Sequence, residues 1–290
     1  MNLSILPLRV SDLVKQFPLI HKALRRLYCV FRPGIRFRME KAFRSEKDIF
    51  VLKIGANDGL KDDPIGDYLL SDSRYRGVFI EPIPHYACLL ANNYGLTGRF
   101  TIEQVAIAAS SGVIKMYYVA ENASELLGER FDVTAFRGIA SLDRNHLAKH
   151  LPAEYDRIIE ETNVESVTIK ELLKRNQIKH IDLLHIDAEG YDWIILQQFD
   201  FNLLRPRIVL FERKHLSKED QHASRSMMEN AGYQVKAMET DFFCFLKCPS
   251  RWSMPRKSRI AEVRRTCGLI RQLNPPSLVQ ALLENRSRGR

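Results

Sequence analysis

The sequence predicts an α/β fold whose mostly parallel sheet is covered by helices on both faces. Short apolar runs alternate with helical patterns through residues 48–246, which is typical of sheets built from strand–helix–strand units. The first apolar run ends in GANDG, where glycines allow a tight turn from a strand into the next segment. The last segment, YQVKAMETDFFCFLK, reads as an antiparallel pair that closes the sheet.

The elements follow one another as strand and helix along this region. Apolar, β-branched runs predict the strands DIFVLKI, RGVFIEP, RFTIEQVAIAA, the start of VESVTIKELLKRNQI, HIDLLHIDAEG and RPRIVLFER. Segments bounded by Pro, Gly or capping residues predict the helices DPIGDYLLSDSR, PHYACLLANNYG, the end of VESVTIKELLKRNQI, YDWIILQQF and SKEDQHASRSMMENAG. The alternating GVIKMYYVA predicts a strand or hairpin arm. Residues 120–160 lack a strong period and predict an insertion.

Charge divides the 290 residues into three predicted parts. Residues 1–47 carry 11 Lys and Arg against 3 Asp and Glu, and residues 247–290 carry 11 against 2. The formal net charge of the whole chain is +9, which leaves −8 for residues 48–246. We therefore predict an acidic domain at 48–246, a basic helical extension at 1–47 and a basic tail at 247–290.

The bulk composition indicates a cytoplasmic protein. No run of apolar residues is long enough to cross a bilayer, and the N-terminus lacks the apolar core and cleavage site of a secretory signal. The five scattered cysteines argue against a disulfide framework or a zinc knuckle, so a reducing compartment is expected.

The stretch GANDG predicts a site for a nucleoside. Gly55 allows a tight turn after the first strand, and Gly59 allows close backbone approach. Glu81 follows 22 residues later, at the end of the second strand, where a carboxylate can accept two hydrogen bonds from a ribose diol. At the end of the third strand, Gln104 and Val105 could hold an adenine. The structural alternative is that the two glycines only form a sharp turn and bind no ligand.

The type of nucleoside follows from what the motif lacks. The dinucleotide fingerprint GxGxxG is absent, so a pyrophosphate such as that of NAD is disfavoured. A nucleoside without phosphate, such as S-adenosylmethionine, fits the stretch better.

A second set of residues falls at the ends of the fourth and fifth predicted strands. LLHIDAEGYDW places Asp187 and Glu189 just past one strand, and VLFERKH places Glu212 and His215 just past the next. Because parallel strand ends share one edge of the sheet, these side chains should converge. The structural alternatives are that Asp187 caps the following helix and that Glu189 faces water.

Clustered acids need a cation nearby. One candidate is the sulfonium and ammonium of S-adenosylmethionine. The other is a divalent metal such as Mg²⁺ bound by Asp187, Glu212 and His215.

The ordered motifs IGANDG, FIEP, VAIAA, GIASLDRNHLAKH, LLHIDAEGYD and LFERKHL resemble the FkbM-like family of S-adenosylmethionine-dependent methyltransferases. The resemblance spans roughly 48–246. It implies a Rossmann-like class I methyltransferase fold, a mostly parallel seven-stranded sheet with a terminal antiparallel strand. It also implies O-methylation of a hydroxyl on a sugar, a glycan or a secondary metabolite.

The resemblance assigns roles to matching residues. It implies that Gly55, Ala56, Asn57, Asp58 and Gly59 hold the methionine part of the cofactor.

The same resemblance implies that Glu81 binds the ribose and that Asp187 lies beside the methyl group. There is one departure: many class I methyltransferases have an acid two residues before the first glycine, and here that residue is Lys53. The ammonium of the cofactor must then find another anion, such as Asp58 or Asp187.

An alcohol acceptor has to lose a proton, and a positioned base contributes roughly 10²–10⁴-fold to such a step. Asp187 is the first candidate base and His215 the second, with Glu212 as a further catalytic candidate. A metal would instead acidify the hydroxyl directly. Glu189, Ser141 and Arg144 are candidates for contact with the substrate, with a purely structural role as the alternative for the last two.

Other functions stay open at this point. The basic flanks could be solvated or dimer-forming helices, or could lie on an anionic membrane surface. Nucleic acid is a less favoured partner, because the acidic domain would repel phosphates. The alternatives to O-methylation are an RNA or protein methyltransferase that uses the flanks, and a non-catalytic cofactor-binding module.

Overall fold

A computed structural model of the chain describes residues 34–61, 63–120, 122–123, 126, 139–151 and 157–246. Met39–Lys247 forms one compact unit, and a second unit comprises Met1–Arg38 and Cys248–Arg290, of which only residues 34–38 are described. The predicted basic flanks therefore lie mostly outside the described residues, and their boundaries and roles stay predictions.

The described strands, in chain order, are β1 Ile49–Ile54, β2 Tyr75–Ile80, β3 Phe100–Glu103, β4 Ala106–Ile107, β5 Gly112–Val119, β6 Ala140–Ser141, β7 Ile159–Val167, β8 Leu183–Ile186, β9 Ile208–Glu212, β10 Tyr233–Ala237 and β11 Asp241–Leu246. The described α-helices are α1 Ile35–Ala42, α2 Gly66–Ser71, α3 Pro84–Tyr94, α4 Arg144–His150, α5 Ile169–Arg175, α6 Asp192–Leu196 and α7 Lys218–Asn230.

Seven strands form the main sheet in the order β10–β11–β9–β8–β1–β2–β3. The pairs from β9 through β8, β1 and β2 to β3 are all parallel, and β11 runs antiparallel to both β9 and β10. The predicted α/β fold, with a mostly parallel seven-stranded sheet and a terminal antiparallel strand, is confirmed.

The two faces of the central strand β1 differ in chemistry. Successive side chains of a strand point to opposite faces, and Leu52 and Ile54 belong to the large apolar core together with Ile186 of β8. On the opposite face, Lys53 lies in register with His185 of β8. Both of these side chains are buried, at 2% and 0% exposure. A pair of polar residues is thus built into the centre of the sheet.

A second sheet, in the order β4–β7–β5–β6, contributes to the same unit. Its main pairing is antiparallel, between β5, the predicted hairpin arm, and β7. RFTIEQVAIAA, predicted as one strand, is divided: β3 ends at Glu103, and Ala106 of β4 pairs with Ser166 in the second sheet. The chain changes sheets at Gln104 and Val105. Of the predicted insertion at 120–160, the part that includes β6 and α4 is described.

Side-chain caps fix where several helices begin. Ser217 accepts a hydrogen bond from Asp220 N at 3.0 Å before α7, and Thr168 accepts one from Glu171 N at 3.2 Å before α5. Such caps satisfy backbone donors that have no partner within the helix. In the described part of the chain, no helix combines the length and apolar character needed to cross a membrane.

Gly55 is required where β1 and β8 end side by side. Its φ is +74°, and a Cβ there would lie 1.7 Å from the carbonyl oxygen of Asp187. We predict that Gly55→Ala lowers the free energy of unfolding by more than about 2 kcal/mol, because left-handed strain adds to a backbone overlap. Thermal and urea denaturation would measure the change.

Gly95→Ala is the matched control for this prediction. Gly95 has φ −60°, and a Cβ there would meet nothing within 4 Å. We expect a change of less than about 0.5 kcal/mol, or a slight gain in stability. Equal stabilities for the two variants would contradict the close approach of β1 to the Asp187 carbonyl.

Candidate active site

A cavity of about 940 Å³ lies at the carboxyl ends of the central strands. This is the edge at which ligands bind in parallel sheets. Its walls come from the turn after β1, the ends of β2, β8 and β9, and the second sheet. The strand ends and the second sheet thus bring distant parts of the sequence around one space.

The turn after β1 is fixed between its two neighbouring strands. Gly55 N and Ala56 N donate to the Ile80 carbonyl at 3.0 and 2.9 Å. On the other side, Asp187 N donates to the Ile54 carbonyl at 2.9 Å. The end of β1 therefore holds the turns after β2 and β8 in one place.

Glu81 holds the β1 turn from the end of β2. Its Oε2 accepts a hydrogen bond from Asn57 N at 2.8 Å, and its Oε1 accepts one from Ile83 N at 2.9 Å. Glu81 is 5% exposed and lines the cavity, and burial raises its pKa to about 7. Each carboxylate oxygen can accept a further hydrogen bond, so Glu81 can serve both the turn and a ligand.

Asp58 and Gly59, the last two residues of GANDG, stabilise the turn and do not line the cavity. Asp58 Oδ1 accepts hydrogen bonds from Leu60 N and Lys61 N, both at 2.8 Å. Gly59 has φ +79°, and a Cβ there would lie 2.4 Å from the ring of Tyr94. The glycine thus allows the backbone to approach an aromatic side chain of the core.

Lys53, at the position where many class I methyltransferases have an acid, pairs with two groups within the protein. Its Nζ donates to Asp63 Oδ2 and lies 3.0 Å from His185 Nδ1. Burial and the nearby Lys53 lower the pKa of His185 to about 3, so the imidazole is neutral and Nδ1 accepts. Asp63 Oδ1 also accepts from the backbone N–H groups of Ile65 and Gly66 at 2.9 and 3.0 Å. Sequence reasoning missed Asp63.

Asp192 shapes the turn after β8 and was also missed. Its Oδ2 accepts from Ala188 N at 3.2 Å, and its Oδ1 accepts from Glu212 N at 3.1 Å. Burial raises its pKa to about 7. Within that turn, Glu189 has φ +49° and Gly190 has φ +96°. The buried Asp192 thus ties the turn after β8 to the end of β9.

Asp187 lines the cavity, and its carboxylate makes no hydrogen bond to the described residues. Among the described residues, no side chain or backbone group hydrogen-bonds to that carboxylate, and the residue before α6 is Tyr191, so Asp187 does not cap this helix. Burial, followed by the charges of Glu212, Asp192 and Glu189, raises its pKa well above the usual value. A carboxylate in this state readily accepts a proton or a cation.

His215 lies between two glutamates. Its Nδ1 lies 3.0 Å from Glu189 Oε2 and 2.9 Å from Glu212 Oε2. The close contact with Glu189 and the hydrogen bond to Glu212 raise its pKa to about 10. An imidazolium has no lone pair to accept a proton, so His215, predicted as the second candidate base, is unsuited to that role at neutral pH.

The predicted metal ligands are only partly brought together. Among the described residues, Glu189, Glu212 and His215 offer ligand atoms that all lie within 4.8 Å of one another. Asp187 of the predicted set is not in this group, and Glu189, predicted to contact substrate, is. Because the His215 imidazolium already lies between the two glutamates, the geometry does not require Mg²⁺.

Most of the predicted site residues converge on the cavity. Those that line it are Gly55, Ala56, Asn57, Glu81, Val105, Ser141, Asp187, Glu189, Glu212 and His215. Those that do not are Asp58, Gly59, Gln104 and Arg144. The lining residues that sequence reasoning did not single out include Asp63, Met116, Lys214 and Asp241.

The model of the methyltransferase FkbM domain family matches residues 53–235, which is more than half of the chain. No curated protein sequence matches the chain.

The chain is similar to several solved structures at low sequence identity. Methyltransferase FkbM from Methylobacillus flagellatus KT is 12% identical with a TM-score of 0.40, over 81% of this chain and 60% of that one. Cofactor-bound Rv0187 from MTB is 13% identical with a TM-score of 0.38, over 82% and 95%. A fibrillarin pre-rRNA processing protein from Methanococcus jannaschii is 11% identical with a TM-score of 0.33, over 68% and 65%. The chain spans less than two thirds of the FkbM and fibrillarin structures.

The contacts of His215 predict that its imidazole stays protonated well above neutral pH. We expect NMR titration of the imidazole to give a pKa of about 10. Removing a charge with Glu212→Gln should lower that pKa, and so should Glu189→Gln. Because the folded pKa lies above the usual 6.5, this pairing stabilises the fold fully below about pH 6.5, and the effect is lost as pH rises to about 10. A titration midpoint near 6.5 would contradict the arrangement.

Proposed function

Because the chain belongs to the FkbM methyltransferase family, we propose that it transfers a methyl group from S-adenosylmethionine to a hydroxyl of a sugar, a glycan or a secondary metabolite. The observation that carries this proposal is the Asp187 carboxylate, which lines the cavity and has no hydrogen-bond partner among the described residues. It offers the base that an alcohol acceptor needs.

The residues of the cavity fit this cofactor. Glu81 keeps free lone pairs for a ribose diol while it holds the β1 turn. Val105 and Ile80 supply apolar wall for an adenine. The cavity volume of about 940 Å³ lies at the upper end of the range for small-molecule sites. Glu81 would bind the ribose, and the bound cofactor would supply a methyl group on a sulfonium, an already activated carbon.

Asp187 would act on the acceptor. Its carboxylate would accept the proton that the acceptor hydroxyl loses on methylation, with the neutral thioether S-adenosylhomocysteine as the leaving group. The proton would remain on Asp187 until solvent removes it. Burial and the neighbouring acids raise its pKa, which makes this carboxylate a stronger base than an ordinary aspartate. The His215 imidazolium lies between Glu189 and Glu212 and would stabilise negative charge on that side of the cavity.

The charges of the cavity favour a hydroxylated acceptor without phosphates. Asp187, Glu189, Glu212 and Asp241 all line it. These acids would attract a sulfonium and can accept hydrogen bonds from several hydroxyls, but they would repel the phosphates of RNA. A small hydroxylated molecule or a glycan is therefore favoured over nucleic acid as the substrate.

We predict that Glu81→Gln weakens binding of S-adenosylhomocysteine by about tenfold to a hundredfold, because a charged hydrogen bond contributes about 1.5–3 kcal/mol. Titration calorimetry would measure this loss. For the unmodified protein, affinity should rise by about tenfold between pH 6 and pH 8, because Glu81 ionises with a pKa of about 7. This rise should be smaller in the variant.

Glu103→Gln is the control for Glu81→Gln. Glu103 also ends a strand of the main sheet, but it does not line the cavity and lies 3.6 Å from Arg175. Its substitution should leave affinity and pH dependence unchanged. Equal affinities for all three proteins would remove Glu81 from the cofactor site.

We predict that Asp187→Asn keeps the affinity for S-adenosylhomocysteine within about tenfold but lowers the methylation rate by roughly 10²–10⁴-fold. The rate would be measured as transfer of a labelled methyl group to the best acceptor from a panel of hydroxylated sugars. Unchanged turnover would refute Asp187 as the base. Binding of the cofactor without methylation of any hydroxyl, nucleic acid or protein would favour a non-catalytic module.

A further inference from the structure

The turn after β1 uses all of its own backbone donors. The five N–H groups of residues 55–59 each donate within the protein. The Ile80 carbonyl accepts two of them, at 3.0 and 2.9 Å, and the Glu81 carboxylate accepts a third at 2.8 Å. The Asn57 side chain and the Ala56 carbonyl accept the other two, at 2.7 and 2.8 Å. The turn therefore offers no unpaired amide to an anion.

Four of the backbone donors that follow the turn are used as well. Leu60 N and Lys61 N both donate to Asp58 Oδ1 at 2.8 Å, and Ile65 N and Gly66 N, at the start of α2, donate to Asp63 Oδ1 at 2.9 and 3.0 Å. S-adenosylmethionine carries a carboxylate on its methionyl part. A carboxylate bound beside this turn therefore needs donors other than these amides, and a side-chain cation makes the strongest such hydrogen bond.

Lys53 keeps one N–H donor that no described residue accepts. It lies two residues before Gly55, is 2% exposed and lines the cavity. An ammonium has three N–H donors. Two of them are accounted for by Asp63 Oδ2 and His185 Nδ1, and the described residues provide no third acceptor.

We propose that Lys53 binds the methionyl carboxylate of the cofactor. On this proposal, which rests on the proposed function, Lys53 takes over recognition of this end of the cofactor from the acid found at its position in many class I methyltransferases. The methionyl ammonium is then left to the acids other than Asp187 that line the cavity. A zwitterionic amino acid moiety would thus meet a cation on one side and an anion on the other.

The other cations of the cavity wall are less suited to this role. His215 lies between two glutamates, whereas Lys53 pairs with a single carboxylate and a neutral imidazole. Lys214 is exposed and Lys61 is half-exposed, so water screens their charges. The buried Lys53 ammonium acts through a lower dielectric, where a charged hydrogen bond is stronger.

The test compares two ligands that differ by the carboxylate alone: S-adenosylhomocysteine and its decarboxylated analogue. Calorimetry with the full chain should show that the unmodified protein prefers the carboxylated ligand by roughly tenfold to a hundredfold. Lys53→Gln should abolish that preference while it keeps binding the decarboxylated analogue. The control Lys61→Gln should keep the preference.

The Lys53→Gln variant leaves Asp63 without its buried partner and could unfold for that reason. The double variant Lys53→Gln/Asp63→Asn removes both charges and keeps neutral hydrogen-bonding groups in place. It should fold, as judged by circular dichroism and cooperative thermal unfolding, and should also lack the preference. A retained preference in a folded variant would overturn the proposal.

The remaining outcomes separate this proposal from the proposed function. If the unmodified protein binds the two ligands equally well, the Lys53 proposal is wrong and the cofactor assignment stands. A further result would reassign the role of Lys53. If the unmodified protein binds the two ligands equally well but the Lys53→Gln variant binds a sugar acid such as glucuronate more weakly, then Lys53 binds an anionic group of the acceptor instead. If the unmodified protein binds neither ligand, the proposed function is wrong, and this proposal with it.

Discussion

The close approach of Gly55 to the Asp187 carbonyl is the constraint on which the rest of the site depends. A side chain at Gly55 would overlap that carbonyl, so only glycine lets β1 and β8 end side by side with their turns in contact. Asp187 N bonds to the end of β1, and Ile80 of β2 holds the other side of the same turn. Three strand ends are thereby fixed together, and the acids that follow them face one cavity.

Burial then decides what those acids can do. Glu81 and Asp192 each hold two backbone N–H groups, yet desolvation raises both of their pKa values to about 7. Asp187 has no such partners, and its raised pKa reflects burial beside other acids. Acidic residues therefore outnumber basic ones on the cavity wall. A cationic nucleoside would relieve this imbalance, because opposite charge favours the ionised carboxylates.

The sequence was informative where function depends on a residue at the end of a strand or immediately after it. Apolar runs locate strand ends, and parallel strands share an edge, so Glu81, Asp187 and Glu212 could be predicted to lie together. Asp63 and Asp192 could not, because they act through hydrogen bonds across sequence separations of 10 and 20 residues. The division of the third predicted strand was missed for a similar reason, since the pairing of β4 with β7 is non-local. The charge state of His215 also depends on its two glutamate neighbours.

A crystal structure of the protein with S-adenosylhomocysteine, grown near pH 8, tests the central claim most directly. That claim is that the strand ends joined at Gly55 form a cofactor site. The account predicts ribose hydroxyls within hydrogen-bond distance of Glu81 and the sulfur on the side of the cavity that Asp187 lines. A ligand bound elsewhere, or bound in the cavity with its ribose away from Glu81, would contradict it.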